Sequence, residues 1–479
     1  MSEYFSLADC DVIGFDLDHT LCRYHLKETS RLIYESLARY LVEHKGYDKD
    51  LLNLTPATWD FCFKGLVVDL EDGNLVKLAE DGTIMVTHGT INLSTEEIIK
   101  HYGPKREWKH FNSLNTSFTR SAKYYLYDNY FDLPGALLCG RAVDMMHKVI
   151  FVKKLNIFLI IVCHCFCKQR GNEVNSDFWK DMVAAIEHNY NTSAFKEDTG
   201  TYFPSVKRDP GRYLQPCSDS VKTWLHSMKN AGKVLLLITS SHSDYCRLIC
   251  EHILGKDFEE LFDVIITNAL KPGFFSLVPQ QRPFRTLIND VEESEGLPSL
   301  DKPGWYSQGN WLHLHELLKT MIGKPEPKVV YFGDSMRSDM FPASSFGKWE
   351  TVMILEEMEG EGVPKSDAAM SNEAQVEPLE KKGKFEEQGM KSPSAASNQW
   401  GSYFVDIHKS EGGDEEIQKL TWCSHCIHKY CTMAIPSVEH IADLPLDYKF
   451  PRFSPDKPCT TGYYPRPPDS LLKRCESLS

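Results

Sequence analysis

Two carboxylates one residue apart mark the chain's first chemical feature. Asp16-Leu17-Asp18-His19-Thr20 follows directly on the apolar run Val12 to Phe15. Side chains at i and i+2 of an extended chain leave on the same side. At the C-terminal end of a parallel strand they would enter the crevice where such sheets bind ligands. A pair of hard oxygen donors placed there suits a divalent cation. Three later stretches add complementary chemistry. Thr239-Ser240-Ser241, after Val234 to Ile238, offers hydroxyls and turn amides for phosphate oxygens. Lys271 in Asn268-Ala269-Leu270-Lys271-Pro272, after Val264 to Ile266, is placed to neutralise phosphate charge. Gly333-Asp334-Ser335-Met336-Arg337-Ser338-Asp339, after Val329 to Phe332, supplies a second pair of acids behind a glycine that lets backbone approach a ligand. Each stretch alone is a common surface pattern; four strand ends that agree are not. His19 reads as a pocket wall rather than a base.

These residues need strands to carry them. The five apolar runs Val12 to Phe15, Val234 to Ile238, Val264 to Ile266, Val329 to Phe332 and Thr351 to Leu355 have the length and composition of buried parallel strands. Helical stretches lie between the later runs at Ser220 to Ala231, Asp244 to Leu254 and His313 to Ile322. This alternation predicts an α/β fold, a Rossmann-like doubly wound parallel sheet. About 200 residues separate the first strand from the second, too many for a loop and enough for an inserted domain. The expected division is a core over 1–30 and 213–355, with a large mixed α/β cap over 31–212. The cap should hold a helix over Arg31 to His44 and an alternating stretch Gly65 to Val86, with turns at Glu71-Asp72-Gly73-Asn74 and Asp81-Gly82. Residues 356–398 lose aromatic and β-branched side chains and read as a disordered linker. Residues 399–479 regain apolar content and form a partly docked tail.

Composition narrows the function classes. With 53 Lys+Arg against 67 Asp+Glu, the 479-residue chain carries a formal charge of −14. An acidic balance argues against a nucleic acid polymer as partner, because backbone recognition needs clustered positive charge. Hydrophobic residues at 42% and charged residues at 25% exclude wholesale disorder and fibres. Fifteen cysteines without framework spacing, behind a start MSEYFSLADCDV that lacks a secretory pattern, read as reduced thiols in the cytoplasm. The apolar Leu155 to Phe166 falls short of the roughly 18 to 20 residues of a membrane span, so no membrane is expected.

The four motifs in this order resemble the haloacid dehalogenase-like phosphohydrolases. The resemblance implies that Asp16 is the nucleophile forming an aspartyl-phosphate. Asp18 would be the general acid and base, and Lys271 a catalytic cation. Thr239 and Ser240 would bind phosphate. It further implies Mg²⁺ held by Asp16, Asp334 and the backbone carbonyl of Asp18, with Asp339 behind them. The cap pattern Phe63-Lys64-Gly65-Leu66-Val67-Val68-Asp69, Gly73 to Lys77, His88-Gly89, and Phe131-Asp132-Leu133-Pro134 before Ala142-Val143-Asp144 is similar to the cytosolic 5′-nucleotidase group. That likeness implies a nucleoside monophosphate substrate, with Phe131 stacking on the base and Lys196 in the same pocket. Val183 and Tyr190 stand where the group's purine enzyme has an Arg and a His, which argues against strict purine specificity. The stretch 149–174 has no counterpart in the group's pattern.

Other readings compete. DLDHTL also resembles the start of carboxy-terminal-domain protein phosphatases, which would make the substrate another phosphoester, a phosphoprotein included. A family member kept as a nucleotide-binding or scaffold protein is the non-enzymatic alternative, and a homo-oligomer stays open. Cys423, His425, Cys426, His428 and Cys431 have zinc-like spacing but lack a distant second ligand pair, so packing is favoured. Cys163, Cys165 and Cys167 sit in an apolar setting that also favours packing.

Overall fold

The computed structural model describes residues 2–54, 56–118, 121–155, 176–276, 282–361, 396–409, 416–455, 457 and 461–478. The chain divides into two compact units. The first comprises Met1–His25, Asp209–Ala395 and His425–Ser479; the second comprises Leu26–Arg208 and Ala396–Ser424.

The first unit is a mixed α/β structure around a nine-stranded sheet. In chain order its strands are β1 (Val12–Phe15), β2 (Val234–Ile238), β3 (Val264–Thr267), β4 (Phe284–Ile288), β5 (Val291–Leu297), β6 (Gly304–Gln308), β7 (Val329–Gly333), β8 (Glu350–Ile354) and β9 (Met433–Ile435). They lie in the order β5-β4-β6-β3-β2-β1-β7-β8-β9. The seven strands from β6 to β9 in that order run parallel, and the hairpin β4–β5 adds two antiparallel strands at one edge. Every residue of β1, β2, β3 and β7 is buried, which is why these segments read as unbroken apolar runs rather than alternating ones. Phe15 stacks on Phe332 of β7 with centroids 5.0 Å apart and meets Trp224 edge-on at 5.8 Å. Trp224 belongs to the helix Asp219–Asn230, which buries Val221, Trp224, Leu225 and Met228, a stripe at i, i+3, i+4 and i+7.

Four strands escape the sequence pattern. Strand β5, VEESEGL, lies at an exposed edge and carries three glutamates, so it presents no apolar run. Its partner β4, FRTLI, and the next strand β6, GWYSQ, mix polar with apolar residues, so neither is an apolar run. Strand β9 shows that the tail contributes to this sheet, pairing Val352, Met353 and Ile354 with Met433, Ala434 and Ile435.

The second unit holds a five-stranded antiparallel sheet, in the order Ile91–Asn92, Ile84–His88, Asn74–Leu78, Leu66–Asp69, Tyr124–Tyr127. The first expected turn stands at Glu71-Asp72-Gly73, with Asn74 opening the next strand, and the second at Asp81-Gly82. The helix expected over Arg31 to His44 runs from Leu26 to Lys45 and buries Thr29 and Ser30. The unit boundary accordingly falls at residue 25/26 rather than 30/31. Segment 396–424 packs here through a buried lysine: Lys77 Nζ donates to the carbonyls of Trp400 (2.8 Å) and Ser402 (2.7 Å) and to Asp406. The partly docked tail expected over 399–479 divides between the units, residues through 424 going to this one and 425–479 to the first. Gly65, at φ +90°, leaves room for Cys423, whose Sγ would lie 2.2 Å from an added Cβ. Residues 362–395 of the expected linker, 156–174 of the atypical stretch and the cysteines at 163, 165 and 167 lie outside the described residues. No helix among the described residues is long and apolar enough to cross a membrane.

Candidate active site

Parallel pairing puts the C-terminal ends of β1, β2, β3 and β7 on one edge of the sheet. Register does the positioning: Phe15 pairs with Leu237 on one side and Phe332 on the other, and the Asp16 amide donates to the Phe332 carbonyl at 2.8 Å. Beyond Asp16 the chain turns tightly. The Cys22 amide returns to the Leu17 carbonyl at 2.8 Å, and His19 takes a left-handed φ of 58°. His19 is buried, with its ring 4.5 Å from that of Tyr24.

Lys271 sits at the centre. Its ammonium donates to Asp16 Oδ1 at 2.7 Å, Asp339 Oδ1 at 2.6 Å and the Tyr331 hydroxyl at 3.0 Å, which accounts for all three of its protons. Burial alone would lower the Lys271 pKa, but the attraction of Asp16 and Asp339 prevails and raises it well above the ordinary lysine value. Burial acts the other way on Asp16. Desolvation, reinforced by Asp339 and Asp18, outweighs Lys271 and raises its pKa to about 7. Asp18 is likewise raised, chiefly by burial, although three hydroxyls bond it: Tyr24 at 2.6 Å on Oδ1, and Ser241 (2.7 Å) and Thr239 (3.3 Å) on Oδ2.

Asp339 reaches Lys271 from a π-helical turn, Met336–Met340, that follows β7. Such turns re-aim a side chain that a regular helix would place elsewhere. Gly333 makes the approach possible, since a Cβ there would lie 2.5 Å from Asp339 Cβ and 2.8 Å from its Oδ2. Among the described residues, Asp16, Asp334 and Asp339 are the group of three whose carboxylate oxygens converge within 4.8 Å, all buried. Clustered hard oxygen donors are the chemistry of a Mg²⁺-type site, so the residues present fit such an ion. The Cys/His set at 423–431 forms no such group among the described residues.

Asp16, Asp18, Thr239, Ser240, Lys271, Asp334 and Asp339 therefore all stand at one sheet edge in the first unit. Ser240 and Ser241 differ from expectation in their partners: Ser241 bonds Asp18, while the exposed Ser240 accepts the Lys271 backbone N–H at 3.1 Å. Phe131 and Lys196 belong to the second unit. Phe131 is half-buried with its ring 6.1 Å from that of Tyr202, and Lys196 is exposed. Sequence reasoning missed Tyr24, Tyr245 and Tyr331. Tyr331 sits within the run VVYF, where an aromatic signals core, and nothing in its spacing marks a hydroxyl aimed at a lysine.

Residues 1–429 match the model of the 5′ nucleotidase family. The chain belongs to the 5′ nucleotidase family. It is 59% identical over 469 residues to human 5′-nucleotidase domain-containing protein 1, covering 98% of this chain and 97% of that one. The corresponding protein of Bos taurus is 57% identical over the same shares of both chains. A more distant relative, human 5′-nucleotidase domain-containing protein 2, is 26% identical across 74% of this chain and 62% of its own. Membership of the 5′ nucleotidase family makes the protein a phosphoric monoester hydrolase.

Proposed function

We propose that the protein is a Mg²⁺-dependent phosphomonoesterase of haloacid dehalogenase-like fold that hydrolyses nucleoside 5′-monophosphates through an aspartyl-phosphate. The observation that carries this reading is the convergence of Asp16, Lys271, Asp334 and Asp339 at the C-terminal edge of a parallel sheet, with the Lys271 ammonium 2.7 Å from Asp16. Asp16 attacks phosphorus, and its position between Lys271 and the acidic group suits a nucleophile whose charge must be balanced while it approaches an anion. Asp18 gives a proton to the departing ester oxygen and afterwards takes one from the water that hydrolyses the phosphoenzyme. Lys271 balances charge on the phosphoryl oxygens, and Thr239 and Ser240 orient them. Mg²⁺ would be held by Asp16, Asp334 and the Asp18 carbonyl, with Asp339 nearby, and would supply electrostatic screening of the phosphate.

A nucleotide substrate follows from the family and from the names of the relatives; Phe131 and Lys196 are the residues proposed to meet it. The described cysteines are all free, which supports a reducing, cytoplasmic setting. The test is phosphate release from a panel of nucleoside 5′-monophosphates and other monoesters with Mg²⁺, wild type against Asp16→Asn. Trapping of the acyl phosphate with hydroxylamine should succeed only in the wild type. Equal turnover by the two proteins would remove Asp16 as nucleophile, and preference for a non-nucleotide ester would remove the substrate assignment.

A further inference from the structure

Asp18 has two oxygens, and their surroundings differ. Oδ2 accepts from the hydroxyls of Ser241 (2.7 Å) and Thr239 (3.3 Å), on the loop after β2. Oδ1 accepts a 2.6 Å hydrogen bond from Tyr24, whose hydroxyl also lies 3.1 Å from that of Tyr245. Both tyrosines are buried, at 1% and 4% exposure. Tyr24 has a single hydroxyl proton and gives it to Asp18, so in the pair with Tyr245 it accepts. The result is a directed chain, Tyr245 to Tyr24 to Asp18 Oδ1. Tyr24 is itself fixed by backbone pairing: Arg23–Tyr24 forms a two-stranded ladder with Leu214–Gln215. The neighbouring Arg23 bonds Glu359 at 3.0 Å and Glu356 at 3.4 Å.

We infer that Tyr24 is a positioning residue for the general acid, a role that builds on the reading of Asp18 given above. The Tyr24 bond on Oδ1 fixes the rotation of the carboxyl, so that Oδ2 is held on the side of the phosphate-binding loop, where the Ser241 hydroxyl can turn to accept when Oδ2 carries the proton. In the first half-reaction a bond forms between an Asp16 oxygen and phosphorus as the bond from phosphorus to the ester oxygen breaks. The Oδ2 proton passes to the departing oxygen, which leaves as a neutral alcohol, and Asp18 becomes the carboxylate that Tyr24 and Ser241 then stabilise. Without the Tyr24 hydroxyl the carboxyl keeps only its bonds on Oδ2 and loses the anchor on Oδ1 that fixes its orientation.

The experiment exploits leaving-group chemistry. A nucleoside leaves as an alkoxide and needs the proton; p-nitrophenol leaves readily without it. The parameter kcat/KM, read through the phosphorylation step, separates this from later hydrolysis of the phosphoenzyme. Tyr24→Phe is expected to lower kcat/KM about tenfold for the nucleoside 5′-monophosphate that the wild type uses best, the loss of one hydrogen bond to a charged group. For p-nitrophenyl phosphate the loss should be less than about threefold, with Asp18→Asn showing the same contrast more strongly. Tyr245→Phe should show a weaker version, and it carries the test by the same criterion if Tyr24→Phe does not fold. If Asp18→Asn discriminates between the substrates and the tyrosine variant affects both equally or neither, the inference about Tyr24 is overturned while the reading of Asp18 stands. If Asp18→Asn itself does not discriminate, the general-acid reading fails and Tyr24's role falls with it.

Discussion

Replacing Lys271 with methionine is the sharpest perturbation of the site, because it removes a charge while nearly preserving volume. The lysine side chain is 3% exposed and is bracketed by Asp16 and Asp339, themselves 9% and 2% exposed. Breaking a buried ion pair by deleting one partner costs about 3–5 kcal/mol, since the remaining charge is left uncompensated. Here two carboxylates lose the same cation. For units of 150–250 residues each kcal/mol moves Tm by roughly 2–4 °C, so a fall on the order of 10 °C is expected at pH 8. The pH dependence has a definite sign. Asp16 already has a folded pKa raised from 3.8 to about 7, and removing Lys271 raises it further. A group with a raised folded pKa contributes most below its unfolded pKa and loses that contribution as pH rises through the folded value. The variant's deficit should therefore shrink on acidification from pH 8 to pH 6. Thermal melts of both proteins followed by circular dichroism, at both pH values and in the presence of a chelator, measure it. An unchanged Tm at pH 8, or a deficit that widens on acidification, would refute the electrostatic argument.

Other outcomes follow from the same structure. Gly333→Ala should cost about 1–3 kcal/mol through overpacking against Asp339 and should lower kcat at least tenfold, checked by denaturant melts and steady-state kinetics. Burial lowers the His428 pKa to about 4, helped by repulsion from His425 and Arg474. The first unit should thus lose stability as pH falls from about 6.5 to about 4, on the order of 2 kcal/mol after discounting for partial exposure; His428→Gln should flatten that slope in paired melts. Lys77→Met should release the segment 396–409, seen as faster limited proteolysis there and a loss of about 3–5 kcal/mol from the second unit.

The parts legible from sequence were those dictated by burial on both faces. Strands β1, β2, β3 and β7 need apolar residues at every position, and their ends could be read from the first polar residue beyond each run. The acids and Lys271 stand at those ends, so finding the strands located them. Tyr331 was not legible because a tyrosine in an apolar run signals packing, and Tyr24, between Arg23 and His25, carries no spacing signal; only the fold shows which hydroxyl meets a charge. The hairpin β4–β5 was missed because an edge strand has only part of its surface to bury. The division of the tail depends on Lys77, a lysine that spacing alone would have left in solvent.

That missed hairpin bears on the chemistry. Lys271 comes from a loop in which Asn268 and Leu270 both take left-handed backbone angles, φ 47° and 48°, an arrangement that non-glycine residues keep only when their surroundings enforce it. The enforcement is visible in four bonds. The amides of Asn268 and Ala269 donate to the carbonyls of Ser241 (2.8 Å) and Thr239 (3.0 Å), tying this loop to the one after β2. The Asn268 side chain donates to Glu292 of β5 at 2.7 Å, and Arg282, just before β4, donates to the Ala269 carbonyl at 2.6 Å. Glu292 is held in turn by Ser307 and by Gln308, the latter at 2.6 Å, both on β6. An acid on an edge strand that looks like solvated polarity in the sequence thus anchors the loop that delivers the ammonium. A lysine on a flexible loop would sample many positions and lose rotamer entropy with each approach to Asp16; held from both sides, it meets Asp16, Asp339 and Tyr331 in one geometry, which is what electrostatic stabilisation of a phosphoryl group requires.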